Sequence, residues 1–311
     1  MRNILSVDVE DYFQVSAFSD LVARSEWDSK PSRLAENLKR TLSILDEHQT
    51  KATFFVLGWV AERFPRETRE IAEQGHEIAS HSYDHRLVYE LSREEFREDV
   101  RRSKAILEDI SSTPVVGYRA PSFSITPQVG WAWEVLAEEG YLYDSSQFPV
   151  HHDRYSNPNG ERFVHRKRLA GGGSTLAEFP LTTLRLLGVN IPVAGGGYLR
   201  ALPLRLILRG IAKTNERNFP AVIYVHPWEL DPGQPRIPVP RFRRFRHYVN
   251  LHKTERKLRR LLEQCSFAPV REFLPLYLPE EAAKPLPRGR RERCSSSTQR
   301  GFTSDQRSPS P

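Results

Sequence analysis

Short apolar runs alternate with amphipathic helical stretches along this chain. Residues 4–9 form a compact apolar run that ends in acids. Leu34, Leu38, Leu42 and Leu45 then recur at helical spacing and mark one buried face. Residues 52–56, rich in Thr, Phe and Val, predict a strand. A helix is predicted around 65–74, stopped by Gly75. Residues 77–79 predict a short strand running into His81. Ser92 and Glu95 have capping-box spacing, and Phe96, Val100 and Leu107 continue that helix's buried face. A strand at 115–118 follows, and Thr126-Pro127 opens a helix that ends at Gly140. Further strands are predicted at 142–143, 178–181 and 221–225. A last helix is predicted at 250–264, with a short strand at 267–270.

Strands alternating with helices predict a parallel sheet. Six to eight such units in one domain predict an α/β fold with a closed or nearly closed (β/α) barrel. Barrel enzymes carry their chemistry at the C-terminal ends of the strands. Asp8, Glu10 and Asp11 end the first predicted strand, and His81 follows the third. Arg119 follows the fourth, Asp144 the fifth, and His226 ends the strand before the last long helix. Chance would scatter these residues, so their recurrence at one end points to a single site.

Composition bounds the rest. Beyond residue 278 the chain is rich in Pro, Arg, Ser and Gln, and it cannot bury enough apolar surface to order itself. Residues 279–311 are therefore expected to be a disordered basic tail on a barrel spanning 1–278. The net charge of +7 is concentrated late, in Arg241, Arg243, Arg244 and Arg246, in 253–260, and in the tail. The plain reading is a solvated basic face; the sharper one is attraction to an anionic partner. No nucleic-acid module is apparent, so nucleic acid is not expected. Two cysteines, Cys265 and Cys294, supply neither a disulfide framework nor a thiolate metal site. No run approaches the ~18 apolar residues of a membrane span, and the N-terminal apolar run is too short for a signal peptide. Cytoplasmic residence is the expectation. The runs 171–173 and 195–197 are all glycine and read as flexible or tightly turned loops, without the lysine of a phosphate-binding loop.

His81 and His85 stand at i, i+4, so on a helical turn both could bind one metal. Alone that spacing is weak. Carboxylates from Asp8, Glu10 or Asp11 would complete a facial site with open positions, able to polarise a carbonyl and activate water. One acid of that cluster can be a base while its neighbour holds the metal. In a strand, Asp8 and Glu10 point to the same face, which favours Glu10 as the metal carboxylate, with Asp11 next. His226 can hold and pass a proton as a neutral imidazole, and Arg119 can orient the base carboxylate. Trp228, Tyr12 and Phe13 either line a saccharide groove or pack the core.

Five ordered segments carry a resemblance. They are Ser6-Val-Asp-Val-Glu-Asp-Tyr-Phe13, His81-Ser-Tyr-Asp-His85, Gly117-Tyr-Arg-Ala-Pro-Ser-Phe123, Tyr143-Asp-Ser-Ser146 and Tyr224-Val-His226. Together they resemble the motifs of the NodB-type polysaccharide deacetylases. The region from about 195 to 278 resembles an extension in a subgroup linked to exopolysaccharide clusters. The resemblance implies a distorted barrel of about seven strands. It implies Asp8 as general base, His226 as general acid, Arg119 orienting Asp8, and Asp144 tuning the acid histidine. His81, His85 and Glu10 or Asp11 would hold a divalent ion, most readily Zn2+, with Co2+, Ni2+ or Mn2+ as substitutes. A backbone N–H near Ser122 would help to hold the oxyanion. The implied substrate is an N-acetylated polysaccharide or a lipid-linked oligosaccharide. Cytoplasmic residence and such a polymer are reconciled if a lipid-linked intermediate is met by peripheral association at the inner membrane face. Hydrolysis of another non-peptide C–N bond, or a non-catalytic carbohydrate-binding barrel, are the alternatives. The sequence departs from the family pattern in separating Asp8 from the next acids, in placing Ser122 after Pro121, and in placing Tyr224 two residues before His226.

Overall fold

The computed structural model describes residues 1–152, 157–169 and 175–278. The sheet is built around β1 (Asn3–Val9), whose seven residues are all buried. β2 (Thr53–Val56), β3 (Glu77–Ser80), β4 (Gly117–Tyr118) and β5 (Tyr143–Asp144) follow in order, each parallel to its predecessor. β6 (His165–Arg168) pairs antiparallel with β7 (Thr175–Glu178), and β7 lies parallel to β5. β8 (Thr183–Leu186) and β9 (Val189–Pro192) form a separate hairpin. β10 (Val222–Val225) returns parallel to the other flank of β1, and β11 (Phe267–Ala268) pairs with the start of β1.

The main path runs β10-β1-β2-β3-β4-β5-β7, seven parallel strands among the described residues. Its two ends are drawn together by irregular backbone rather than by a ladder. Thr182 N–H donates to the Val222 carbonyl at 3.2 Å, and Val222 N–H donates to Thr182 Oγ1 at 2.7 Å. Tyr224 N–H donates to the Ala194 carbonyl at 2.8 Å. The result is the distorted, nearly closed barrel expected from the alternation of strands and helices.

Strand periodicity divides β1 between two cores. Leu5, Val7 and Val9 face outward into a cluster with Leu34, Leu38, Leu42 and Leu45 of the helix Leu34–Glu47. Ile4 faces inward and packs with Phe55, Tyr143, Val222 and Tyr224. Ser6 and Asp8 share that inward side, which places a polar floor inside the barrel. The outward cluster also takes apolar faces from the helices Arg93–Ser111, Trp131–Glu138, Leu204–Asn215 and Leu251–Gln264.

Local chemistry sets several boundaries. The capping box is present: Glu95 N–H donates to Ser92 Oγ at 3.2 Å, and Ser92 N–H donates to Glu95 Oε2 at 2.9 Å. The helix predicted at Pro127 begins instead as a 3-10 turn, Pro127–Val129, before Trp131–Glu138. The strand predicted at 178–181 lies earlier, at Thr175–Glu178, because 179–182 bends across toward β10. Residues 195–197 are not a loose loop, since Gly196–Ala201 is helical. The other glycine run, 171–173, and the predicted tail at 279–311 lie outside the described residues. Among the described residues no helix is long and apolar enough to cross a membrane.

Candidate active site

The C-terminal ends of the parallel strands open into one cavity of about 450 Å³. Asp8, Glu10, His81, His85 and His226 all line it. Asp144 does not.

Asp8 is the last residue but one of β1, inside the barrel, and is buried. Arg119, directly after β4, reaches across to it. The guanidinium is fully buried and donates from Nη1 to Asp8 Oδ1 at 2.6 Å and to Ser6 Oγ at 2.7 Å. Its Nη2 donates to Ser145 Oγ at 2.8 Å, and its Nε to the Ser145 carbonyl at 3.1 Å. The flat face of the group lies 4.1 Å from the Phe55 ring centroid. Two serines and an aromatic therefore fix this ion pair rigidly, and a lysine could not reproduce that fork.

Glu10 faces the cavity as the strand periodicity requires. Its Oε1 lies 3.0 Å from His81 Nε2 and 3.1 Å from His85 Nε2. These three donor atoms lie within 4.8 Å of one another and are all buried, so they could hold a metal ion. His81 Nδ1 lies 2.7 Å from the Arg119 carbonyl, which must accept a proton from it. That contact fixes the tautomer and turns the Nε2 lone pair toward Glu10. Burial alone would raise the Glu10 pKa, but the two imidazoles hold it well below the usual carboxylate range. Two imidazoles, a carboxylate and open cavity beyond them fit a divalent ion with free coordination positions.

The histidine pair is not on a helical turn. Residues 81–87 are irregular, and Ser82 (φ 71°) and His85 (φ 61°) both adopt the left-handed region. The turn is held by Asp99, which accepts from Ser82 Oγ at 2.6 Å and from Tyr83 N–H at 3.1 Å. Asp11, the second candidate carboxylate, is engaged elsewhere. It accepts from Ser32 Oγ at 2.6 Å, Tyr12 N–H at 2.8 Å and Arg33 N–H at 3.0 Å, tying the end of β1 to the start of the following helix.

His226 ends β10 and begins a 3-10 turn, Pro227–Leu230. Its partner is Glu229, not Asp144. Glu229 Oε2 lies 3.1 Å from His226 Nδ1 and accepts the His226 backbone N–H at 3.0 Å. Arg200 Nε donates to the other oxygen of Glu229 at 2.7 Å, and both side chains are buried. Burial would lower the His226 pKa, but Glu229, Glu10 and Asp8 lift it to about 9. Glu229 is itself held down at about 2 by Arg200 and His226, against the effect of burial. These carboxylates favour the charged form of His226, the form that can donate a proton.

Asp144 is corrected on the same grounds. β5 pairs it with Glu178 of β7, and its carboxylate accepts from Trp133 Nε1 at 2.9 Å and Ser146 Oγ at 2.5 Å. Burial, and then the neighbouring Asp144 charge, push the Glu178 carboxyl well above its ordinary value. Asp144 thus belongs to a structural carboxyl pair and makes no contact with His226.

Trp228 lines the cavity, with its ring stacked on His226 (centroids 5.1 Å apart) and on His247 (4.3 Å). Tyr12 and Phe13 instead pack into a buried cluster with Phe18 and Trp27, so core packing accounts for them. Tyr224 lines the floor, 5.3 Å from Phe123 and 5.5 Å from His226 between ring centroids. Ser122 lines the cavity with φ 50°, its hydroxyl 2.5 Å from that of Ser16.

Glu229 and Arg200 were not anticipated from sequence. A signal was present, because Glu229 stands at the i+3 position that lets a side chain reach back to the His226 N–H. Nothing in the spacing announces Arg200, which comes from a separate helix.

Residues 22–143 match the polysaccharide deacetylase family, and residues 145–275 match a domain of unknown function, DUF3473. A peptidoglycan-N-acetylglucosamine deacetylase of Bacillus cereus is 35% identical over 102 residues, 32% of this chain and 37% of its own length. A peptidoglycan deacetylase-like protein of Gibberella zeae is 33% identical over 109 residues, 34% of this chain and 31% of its own. The chain thus spans about a third of the length of these curated relatives. A crystal structure from Mycobacterium smegmatis, assigned to the polysaccharide deacetylases, shares the fold with a TM-score of 0.59 and 20% identity, over 87% of each chain. His81, His85 and Arg119 fall in the first matched region, while Arg200, His226 and Glu229 fall in the second. Residues 22–143 are thus similar to the polysaccharide deacetylases, and the DUF3473 region that follows supplies Arg200, His226 and Glu229 to the same cavity.

Proposed function

We propose that this protein hydrolyses the N-acetyl groups of amino sugars in a polysaccharide or its lipid-linked precursor. One observation carries the reading: an arginine-anchored carboxylate and a carboxylate-anchored imidazole line the same cavity as a Glu-His-His donor set. Amide hydrolysis needs those parts together, a base for water and an acid for the departing amine. The names of the curated relatives support N-acetylglucosamine as the sugar.

Arg119 grips Asp8 Oδ1, which leaves Oδ2 to accept the proton of the attacking water. His226, charged by Glu229, gives its Nε2 proton to the amine nitrogen as the C–N bond breaks. Glu229 keeps that ring oriented and, with Arg200 behind it, stays ionised throughout. A backbone N–H near Ser122 is the proposed donor to the developing oxyanion. Glu10, His81 and His85 would hold the divalent ion, and zinc suits two imidazoles and a carboxylate. When bound, that ion supplies Lewis acidity, polarising the acetyl carbonyl and making water easier to deprotonate. We also propose that the substrate is met at the inner face of the membrane; fractionation finding the protein only outside the cytoplasm would refute this.

The test is acetate release from N-acetylglucosamine oligomers by wild type and Asp8→Asn, each stripped of metal and then given zinc. The expected result is release by zinc-loaded wild type alone. No release from any sample, with zinc shown to be bound, would reject the activity on this sugar.

A further inference from the structure

One wall of the cavity is the helix Arg241–Tyr248, of sequence RFRRFRHY. Phe242 and Phe245 stand at i, i+3 on one side of it. Their side chains are 70% and 60% exposed, yet both line the cavity mouth. Arg243 and Arg246 line the mouth beside them, and the Arg246 guanidinium lies 5.7 Å from the Phe242 ring. The inner side of the helix is fixed to the catalytic floor. His247 is buried and stacked on Trp228, which is stacked on His226. Arg200 donates to the Arg246 and His247 carbonyls, so one guanidinium ties this helix to Glu229.

The charged side chains that this helix turns to the cavity are the cations Arg243 and Arg246. Arg243 pairs with Asp20 at 2.6 Å, and Arg246 Nη2 lies 2.5 Å from His152 Nε2, so both guanidiniums are held in place beside the phenylalanines. The carboxylates among the described residues lining the cavity are Asp8 and Glu10, both at the floor. Asp8 is neutralised by Arg119, and Glu10 faces two imidazoles. A ligand leaving the floor therefore passes two aromatic faces set among guanidinium groups. Aromatic rings of that kind suit the apolar faces of pyranose rings, and fixed guanidiniums suit carboxylates.

Resting on the deacetylase reading, we propose that this wall is a subsite for an acidic glycan, one whose sugars next to the N-acetylated unit carry carboxylates. Burial of two large apolar side chains by the bound glycan accounts for their exposure in its absence. A membrane-docking helix would also combine Phe and Arg, but it would turn its apolar side away from the cavity. Here that side forms the cavity mouth.

The experiment compares zinc-loaded wild type with Arg243→Gln/Arg246→Gln and with Phe242→Ser/Phe245→Ser. Substrates are chitohexaose, which is neutral, and a hexasaccharide of alternating glucuronate and N-acetylglucosamine. Acetate release gives kcat/KM for each. Binding of the acidic hexasaccharide is measured separately, by calorimetry, on an Asp8→Asn background. Thermal melting of every variant reports folding. Wild type is expected to prefer the acidic oligomer. The acidic-to-neutral ratio of kcat/KM is expected to fall roughly tenfold in the double arginine variant, and acidic-oligomer binding to weaken with rising salt. The serine variant is expected to weaken binding of the acidic hexasaccharide.

If neither oligomer is deacetylated but the arginine pair still governs hexasaccharide binding, the activity reading fails and the subsite stands. If chitohexaose is deacetylated and the ratio is the same in folded variants, the subsite is overturned and the activity stands. Phe-dependent sedimentation with phosphatidylglycerol vesicles, without hexasaccharide binding, overturns it in favour of a membrane surface.

Discussion

Glu229 meets His226 twice with a single carboxylate oxygen, at the imidazole Nδ1 (3.1 Å) and at the backbone N–H (3.0 Å). This double contact makes His226 a poised acid in a site where burial alone would strip its proton. Its folded pKa, about 9, lies above the ordinary 6.5. The stabilisation from the charged ring is therefore full below pH 6.5 and is lost as pH rises through about 9. In Glu229→Gln, burial dominates and the ring loses its proton at lower pH. The alkaline limb of kcat/KM is expected to move to lower pH than in wild type at equal metal loading. A cation on Glu10 would reduce that residue's pull in both proteins, leaving the direction of the difference intact. Coincident limbs in the two pH profiles would remove Glu229 from this role.

Arg119 is expected to matter for folding as well as catalysis. Its guanidinium is fully buried with Asp8, Ser6 and Ser145 around it. Arg119→Met leaves a buried carboxylate without its counter-charge, which costs about 3–5 kcal/mol. Arg119→Lys keeps the charge but loses the fork, so it should recover part of the stability and little of the activity. Urea unfolding of both variants checks this, and a Met variant within about 1 kcal/mol of wild type would contradict it.

The strand-and-helix alternation was readable because parallel strands buried on both faces read as apolar runs between periodic helices. The inward direction of Asp8 and Glu10 was readable for the same reason, since side chains on a strand alternate. What spacing could not supply was partnership across the barrel. Asp144 matched a motif position, but β5 sets it opposite Glu178, and its carboxylate is taken up there by Trp133 and Ser146. His81 and His85 matched a helical spacing, yet their convergence comes from left-handed backbone at Ser82 and His85. Neither residue is a glycine, so nothing in the sequence marks that turn. Arg200 escaped notice because its contact with Glu229 spans 29 positions and arises only when the late helices fold over β10.

Glu10 and Asp11 are adjacent and acidic, but they are expected to fail differently. Glu10→Ala removes one of the three grouped donors and should abolish stoichiometric zinc retention after dialysis. Asp11→Ala removes a buried acceptor of two backbone N–H groups and the Ser32 hydroxyl. It should cost about 1–3 kcal/mol of stability and leave zinc content near wild type. Elemental analysis paired with melting curves separates the two. Loss of zinc from folded Asp11→Ala would return Asp11 to the ligand set.

Gly196 is expected to protect the shape of the cavity floor. Its φ of 55° lies in the left-handed region, and a Cβ there would sit 2.5 Å from the Tyr224 hydroxyl. The neighbouring Gly195 bridges to the Tyr224 backbone, so the tyrosine cannot retreat along its strand. Gly196→Ala therefore carries a backbone cost of about 1 kcal/mol and must also displace the Tyr224 ring. That ring lies between Phe123 and His226 and lines the cavity beside the proposed acid, so it is expected to wall the acyl pocket. The expected outcome is a modest loss of melting temperature with a larger fall in kcat/KM for the N-acetylated oligomer. Gly196→Ala/Tyr224→Leu removes the clash but not the backbone cost, so it should restore part of the stability. If the single variant lost stability and kept full activity, Tyr224 would not shape the acyl pocket, and the bend at Gly196 would serve only to close the barrel.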